Sequence, residues 1–215
     1  MKKGRSLTRR HSFRIGGTLK LEEMFPKKKG IEYSSLHMTP EGEYSITRRK
    51  DGEKLLEHMK TILGSTKRKT ITDLTGNVGG DTILFGLNFL HVDSIELDKQ
   101  NFEALKHNVE TFQLKNVTLH QGDSTKLFNW KTDVLYLDPP WGGPSYKEQE
   151  KLDLYLGDVR VDMFLEKILQ EEWRPRFIFM KLPRNYNFDR LEELPNIKKI
   201  IKFRIRGFYL VGIVI

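Results

Sequence analysis

TITDLTGNVGGDTILFGLNFLHVDSIELD, Thr70 to Asp98, is the stretch on which the fold turns. A short β-prone run, TITDL (70–74), ends in a carboxylate and enters a glycine-rich turn. DTILFGLNFL (81–90) then has the length of a helix, and VDSIEL (92–97) returns as a strand. Strand, turn, helix and strand in this order make a βαβ unit, which produces parallel strands.

The alternation continues on both sides. Asp98 is placed to cap a helix over KQNFEALKHNVETF, and NVTLH (116–120) is a strand running towards Gly122-Asp123. DVLYLD (133–138) and RFIFMKL (176–182) are further strands, and Asp158 is expected to cap a helix reaching Gln170. The tail from Asn196 to Ile215 reads as two strands around Arg206-Gly207. Upstream, Leu55, Leu56, Met59, Ile62 and Leu63 share one face of a helix that Gly64 ends. The expected architecture is α/β, a mostly parallel seven-stranded sheet with a C-terminal antiparallel hairpin.

Open sheets of this kind bind ligands beyond the carboxyl ends of their strands. That rule selects Asp73–Gly80, Glu96, Asp123 and Asp138–Gly143 as one crevice. In DLTGNVGGDT, glycines let backbone approach a ligand closely, and the spacing is not the GxGxxG of a dinucleotide pyrophosphate turn. Asp73 stands where a carboxylate could meet an ammonium group. Glu96, ending the next strand, could accept both hydroxyls of a ribose. Asp123, in QGDS, could accept an adenine amino hydrogen. Each residue alone is equally compatible with a tight turn or a helix cap; the ordered set points to an adenosine-type ligand.

LYLDPPWGGPSY, Leu135 to Tyr146, carries the chemistry. Two prolines fix the backbone and remove N–H donors while their carbonyls remain. Asp138 and the Pro139 carbonyl are then two rigid acceptors suited to an exocyclic amine. Accepting both amine hydrogens turns its lone pair towards an electrophile at little entropic cost. Trp141 offers a face on which a base can stack, and Gly142 and Gly143 leave room beside it.

Composition narrows the alternatives. The 215 residues contain no cysteine, which excludes disulfides and thiolate metal sites, and the six histidines show no paired ligand spacing, so no metal is expected. No apolar run is long enough for a membrane span, and no apolar segment follows the basic start as in a secretory signal. The net charge is +8, and residues 1–30 hold ten Lys/Arg against Glu22 and Glu23, so the whole excess lies there. Such an arm suits RNA phosphates, or else targeting. The expected division is a basic flexible arm over 1–36, a helical substrate-side segment over 37–64, and the main domain over 65–215.

The ordered acidic strand ends resemble those of class I S-adenosylmethionine-dependent methyltransferases, and Asp-Pro-Pro-aromatic is similar to the signature of their amino-methyltransferases. PPWGGP followed by a short residue and Tyr (Pro139–Tyr146) and LPRN (Leu182–Asn185) resemble trimethylguanosine synthases, the RNA cap guanine-N2 methyltransferases. EGEYSIT (Glu41–Thr47) resembles their EGW-aromatic-SVT segment, and the likeness spans roughly 37–215.

The resemblance implies a Rossmann-like class I methyltransferase fold with S-adenosylmethionine held by Asp73, Thr75, Gly76, Gly79, Glu96, Asp123, Ser124 and Asp138. It implies Asp138, Pro139 and Trp141 at the reacting amine, with Trp141 and Gly142 holding a cationic 7-methylguanine and Arg184 and Asn185 near the cap phosphates. Capped RNA is the implied partner of an intracellular monomer, nuclear or cytoplasmic, and the short chain fits a compact viral or microbial enzyme.

Three positions depart from the family pattern. Asp138 stands where the family usually has Ser, Asn77 replaces the first glycine of its GxGG turn, and His37 lies near a phosphate-contacting Lys. Asp138 keeps open an alternative substrate, an exocyclic amine of rRNA, tRNA or DNA. A non-catalytic RNA-binding protein of the same fold is the remaining alternative.

Overall fold

The computed structural model describes residues 20–215. Strands β1 (Thr70–Asp73), β2 (His91–Glu96), β3 (Val117–Gln121) and β4 (Val134–Leu137) are followed by a two-stranded hairpin, β5 (Tyr155–Leu156) and β6 (Val159–Arg160), and then by β7 (Phe177–Pro183), β8 (Lys199–Ile205) and β9 (Phe208–Val214). The main sheet has seven strands in the order β3-β2-β1-β4-β7-β9-β8. β1, β2, β3, β4 and β7 are mutually parallel, β9 runs antiparallel to β7, and β8 pairs antiparallel with β9. The α/β class and the C-terminal antiparallel hairpin are therefore as the sequence pattern predicts.

The helices are α1 (Leu21–Met24), α2 (Pro40–Ser45), α3 (Arg49–Leu63), α4 (Gly80–Gly86), α5 (Lys99–Thr111), α6 (Ser124–Leu127) and α7 (Val161–Gln170). β4 shows why the layers hold. Its four residues are all buried, and successive side chains point to opposite faces. Leu135 and Leu137 join Phe164, Leu165 and Ile168 of α7. Tyr136 turns the other way, into a cluster with Leu55, Met59 and Phe85 from α3 and α4. Removing such a side chain from water stabilises the fold by roughly 1.5–3 kcal/mol each. Gly212 of β9 belongs to the same packing, since a Cβ there would lie 2.6 Å from Ile62 Cδ1.

Three local expectations are corrected. The helix expected over 81–90 stops at Gly86, where the Asn116 amide donates to the carbonyls of Gly86 and Phe89 at 3.0 and 3.2 Å. Asp158 caps no helix: it lies between β5 and β6, beside Gly157 at φ 56°, and α7 begins only after Arg160. Residues 20–36 are not a flexible arm. Leu21, Met24, Phe25 and Leu36 are buried with Val78, Ile83, Leu105 and Phe112, and the Lys28 ammonium donates to the Phe112 carbonyl. The sequence pattern masked this, because the apolar residues that anchor the segment are few and aperiodic. Residues 1–19 of the expected arm lie outside the described residues.

Among the described residues no helix is long and apolar enough to cross a membrane, and no group of three or more His, Asp or Glu is placed to hold a metal ion.

Phe25→Ala tests whether residues 20–36 belong to the folded unit. Phe25 is fully buried, with its ring 6.5 Å from that of Phe112. Truncation is expected to cost about 3–5 kcal/mol in urea unfolding; an unchanged midpoint would return the segment to the arm.

Candidate active site

β1 lies between β2 and β4, so chain connections leave it in opposite directions and open a crevice at its carboxyl end. Register brings the strand ends level: Asp73 is opposite both Ser94 and Tyr136, and Glu96 is opposite Gln121. A cleft of about 1220 Å³ opens there. Its lining includes Thr75, Gly76, Glu96, Asp123, Ser124, Asp138, Pro139, Trp141 and Gly142, so most of the residues selected from sequence come together.

The glycine turn forms the floor. Gly76 N–H donates to the Ile95 carbonyl at 2.8 Å, and a Cβ at Gly76 would lie 2.5 Å from Ser94 Oγ, so β2 leaves no room for one. Asn77 sits at φ 46°, in the left-handed region that Asn tolerates, and its amide donates to Ser45 Oγ at 2.7 Å. Gly79, at φ 99°, leads into α4. Thr75 has a bracing part: its Oγ1 accepts from the Asp138 N–H at 2.8 Å and so ties the turn to the end of β4.

The acidic strand ends have different surroundings. Glu96 lines the cleft with only 8% of its surface exposed, and accepts the N–H groups of Asn77 and Asp98, each at 2.7 Å. Burial raises its pKa, while these two bonds favour the charged form. Asp98 caps α5, accepting from Asn101 N–H at 2.8 Å. Asp123 caps α6 and pairs with Lys126 at 2.9 Å; burial opposes its charge, but Thr125 and Lys126 outweigh it and hold the carboxyl below its ordinary value.

Asp73 does not line the cleft. It is fully buried, accepting from Thr82 Oγ1 at 2.7 Å and Thr75 N–H at 3.1 Å, and burial pushes its pKa up to about 7. Through these two bonds its carboxyl braces the turn from beneath.

The acceptor side holds a group that sequence reasoning missed. Lys181 of β7 is 6% exposed, and its ammonium donates to Asp138 Oδ2 at 2.6 Å and to Thr47 Oγ1 at 3.0 Å. Thr47 donates in turn to Asp81 Oδ2 at 2.8 Å, which also accepts the Tyr136 hydroxyl at 2.8 Å. The ammonium lies 5.6 Å from the Trp141 ring centre and 5.4 Å from that of Phe208. Burial pushes Asp138 up to about 6 and Lys181 resists that shift; for Lys181 itself, burial opposes the charge, but Asp138 and Asp81 raise its pKa. The available signal was a lone lysine within the apolar run FIFMKL.

Trp141 is half-buried at the mouth, edge-on to Tyr146 with ring centres 5.1 Å apart. Its indole N–H has no partner at strict hydrogen-bonding geometry, yet it faces Asp138 closely enough to favour the carboxylate's charge. Gly142 and Gly143, at φ 84° and 74°, stand in open space. Arg184 and Asn185 border the cleft without lining it. The exposed Arg184 guanidinium donates to the Arg206 carbonyl, and the Asn185 amide braces the 144–149 turn by donating to the carbonyls of Tyr146 and Gln149 at 2.7 and 2.8 Å.

The strand order and the cleft at the carboxyl ends of the strands are those of the Rossmann-like methyltransferase fold, and solved structures agree on that fold. A T. thermophilus 16S rRNA N2 methyltransferase, solved with AdoMet and guanosine, superposes with a TM-score of 0.58 at 18% identity over 76% of this chain and 42% of that one. The human methyltransferase 10 domain containing protein gives 0.57 at 17% identity over 76% and 79%. The RNA cap guanine-N2 methyltransferase family matches residues 68–208, and the chain belongs to that family.

Among relatives, an uncharacterized protein of Acanthamoeba polyphaga mimivirus is 32% identical over 57% of this chain and 49% of its own. The Saccharomyces cerevisiae trimethylguanosine synthase is 27% identical over 75% of this chain and 52% of its own. That of Schizosaccharomyces pombe is 29% identical over 69% and 66%. The chain thus spans about half the length of the first two.

The enclosure of Asp73 has a measurable sign. A carboxyl whose folded pKa stands above its unfolded value stabilises the fold at low pH, and that contribution is lost as pH rises through the folded pKa. Asp73→Asn is therefore expected to flatten the decline in stability between about pH 4 and pH 7. Urea titrations across that range check it; an unchanged slope would mean that Asp73 is not enclosed as described.

Proposed function

We propose that this chain transfers a methyl group from S-adenosylmethionine to N2 of the 7-methylguanosine cap of RNA. The observation that carries the reading is the meeting, in one cleft, of the buried Glu96 carboxylate with Asp138, Pro139 and the Trp141 face. The residues present suit the cofactor. Glu96 is held by two backbone N–H groups and still has lone pairs for ribose hydroxyls, and the glycine floor admits close approach.

When bound, S-adenosylmethionine supplies an electrophilic methyl. The protein's part is to fix the acceptor. Asp138 accepts an amine hydrogen and orients the lone pair, while Trp141 holds the base and excludes water from one face. A cationic 7-methylguanine gains further from an indole face, by about 0.5–2 kcal/mol. Residues 1–19 carry Lys2, Lys3, Arg5, Arg9, Arg10 and Arg14 with no acidic residue, and are assigned to RNA phosphates. A second reading, an exocyclic amine of another RNA or of DNA, is favoured by Asp138, the carboxylate of general amino-methyltransferases.

Labelled-methyl transfer to a 7-methylguanosine cap dinucleotide, set against the unmethylated cap, separates the readings. Transfer confined to the methylated cap is expected; equal transfer to both, or to neither, would overturn the cap assignment. Trp141→Ala is expected to weaken cap binding by about tenfold or more while leaving S-adenosylmethionine affinity in place, a stacked base contributing about 1–3 kcal/mol.

For the arm, deletion should stop at residue 19, because Leu21 and Phe25 belong to the core. Removing 1–19 is expected to lower the salt slope of binding to long single-stranded RNA by up to about 4, at about 0.7 for each of the arm's phosphate contacts. Activity on a cap dinucleotide should persist. An unchanged slope would assign the arm to targeting.

A further inference from the structure

We propose that Lys181 is a positioning residue for methyl transfer, its ammonium holding Asp138 as a carboxylate, fixed by Oδ2, at the acceptor amine. This rests on the reading of Asp138 as the amine's acceptor.

Nothing in the sheet asks for a lysine at this place. β7 is otherwise apolar, and its neighbours Met180 and Leu182 are fully buried. A buried ammonium is costly unless it is paired and hydrogen-bonded, and an apolar residue would fill β7 without that cost. What Lys181 adds is directed at the cleft. It reaches Asp138 Oδ2 at 2.6 Å, and its bond to Thr47 at 3.0 Å locks it there. Thr47 is itself fixed, donating to Asp81. The chain of donors therefore runs one way, from Lys181 through Thr47 to an Asp81 that Tyr136 also holds. Each member has one orientation.

The charges around Asp138 make the lysine necessary. Asp81 of α4 raises its proton affinity, and Asp138 in turn raises that of the enclosed Asp73 of β1. Tyr136 of β4 gives up no proton here, since burial and these carboxylates push its pKa well above the ordinary value. Asp51 of α3 adds negative potential at Lys181, and is itself 3.7 Å from Arg206 Nε. Among these groups Lys181 is the cation that touches Asp138. Without it, burial and like charge would leave Asp138 protonated near neutrality, and a protonated carboxyl offers the amine a weaker acceptor. The departure at position 138 is thereby explained: a carboxylate in place of a hydroxyl requires a counter-charge, and β7 supplies one.

Lys181→Met is the test, with Lys181→Arg as the conservative variant. The acid limb of methyl transfer is expected to move upward by about 1–3 pH units in Lys181→Met. With Asp138 starting at about 6, that reads at pH 7 as a loss of about twofold for one unit and about ninetyfold for three, recovering as pH rises further, whereas Lys181→Arg keeps the original limb. A purely structural role would lower activity equally at all pH values or lower stability alone. Either result, with the acid limb unmoved, overturns the proposal.

A second readout needs neither cofactor nor substrate. Carboxyl-carbon NMR of the free protein, with the Asp138 signal assigned by its absence in Asp138→Asn, should titrate at higher pH in Lys181→Met. An unmoved titration also overturns the proposal. If wild type methylates no guanine substrate, the proposed function fails, while this titration still decides the part of Lys181. Should Lys181→Met fail to fold, Asp138→Ser/Lys181→Met replaces it, since it leaves no unpaired carboxylate. The double variant is expected to be more stable than Asp138→Ser alone, which strands the lysine; the reverse order would show that the two residues are not coupled.

Discussion

The parallel register of β1 against β2 and β4, with Asp73 opposite both Ser94 and Tyr136, is the constraint on which the cleft depends. Because the strand ends are level, Glu96 reaches the glycine turn from one side and Asp138 from the other. A slip of one residue in either strand would turn Glu96 or Tyr136 to the opposite face of the sheet. The Asp138 N–H bond to Thr75 Oγ1 at 2.8 Å fixes the same alignment from within the site. The two prolines after Asp138 then end the strand where its side chain faces the cleft.

The site concentrates charge in a poorly solvated place. Asp138, Asp81 and Asp51 act on one ammonium, that of Lys181. A buried ion pair of this type adds little net stability, because desolvation consumes most of the attraction. The fold bears the cost through two apolar clusters, which bury β4 and β7 on both faces. The upstream segment takes part directly. A Cβ at Gly80 would lie 2.6 Å from Ile46 Cγ1, so the chain around Thr47 can press against the start of α4 and deliver its hydroxyl to Lys181.

Much of this was legible beforehand. Strand and helix alternation, the order of the acidic strand ends, Asp98 as a cap and the left-handed Asn77 all follow from local pattern and backbone sterics. The misreadings share a cause. Asp158 resembles a cap, but a two-stranded hairpin takes it, and the aperiodic stretch over 20–36 conceals four buried apolar anchors. Propensity gives the preference of a short segment; what packs against that segment decides between near-equal alternatives.

The sequence by itself determined the sheet class, the crevice at the carboxyl ends of its strands, and the Asp-Pro-Pro-Trp loop as its chemical edge, because periodicity, glycine and proline act over a few residues. Tertiary structure alone decided which carboxylates face that crevice and which are enclosed, leaving Glu96 in its wall and Asp73 beneath the turn. It also decided that Lys181, 43 residues from Asp138, is that carboxylate's partner and that Thr47, 134 residues from Lys181, locks it. Contacts across such distances depend on register and burial, and ionisation depends on the solvent those contacts exclude, which no local pattern carries.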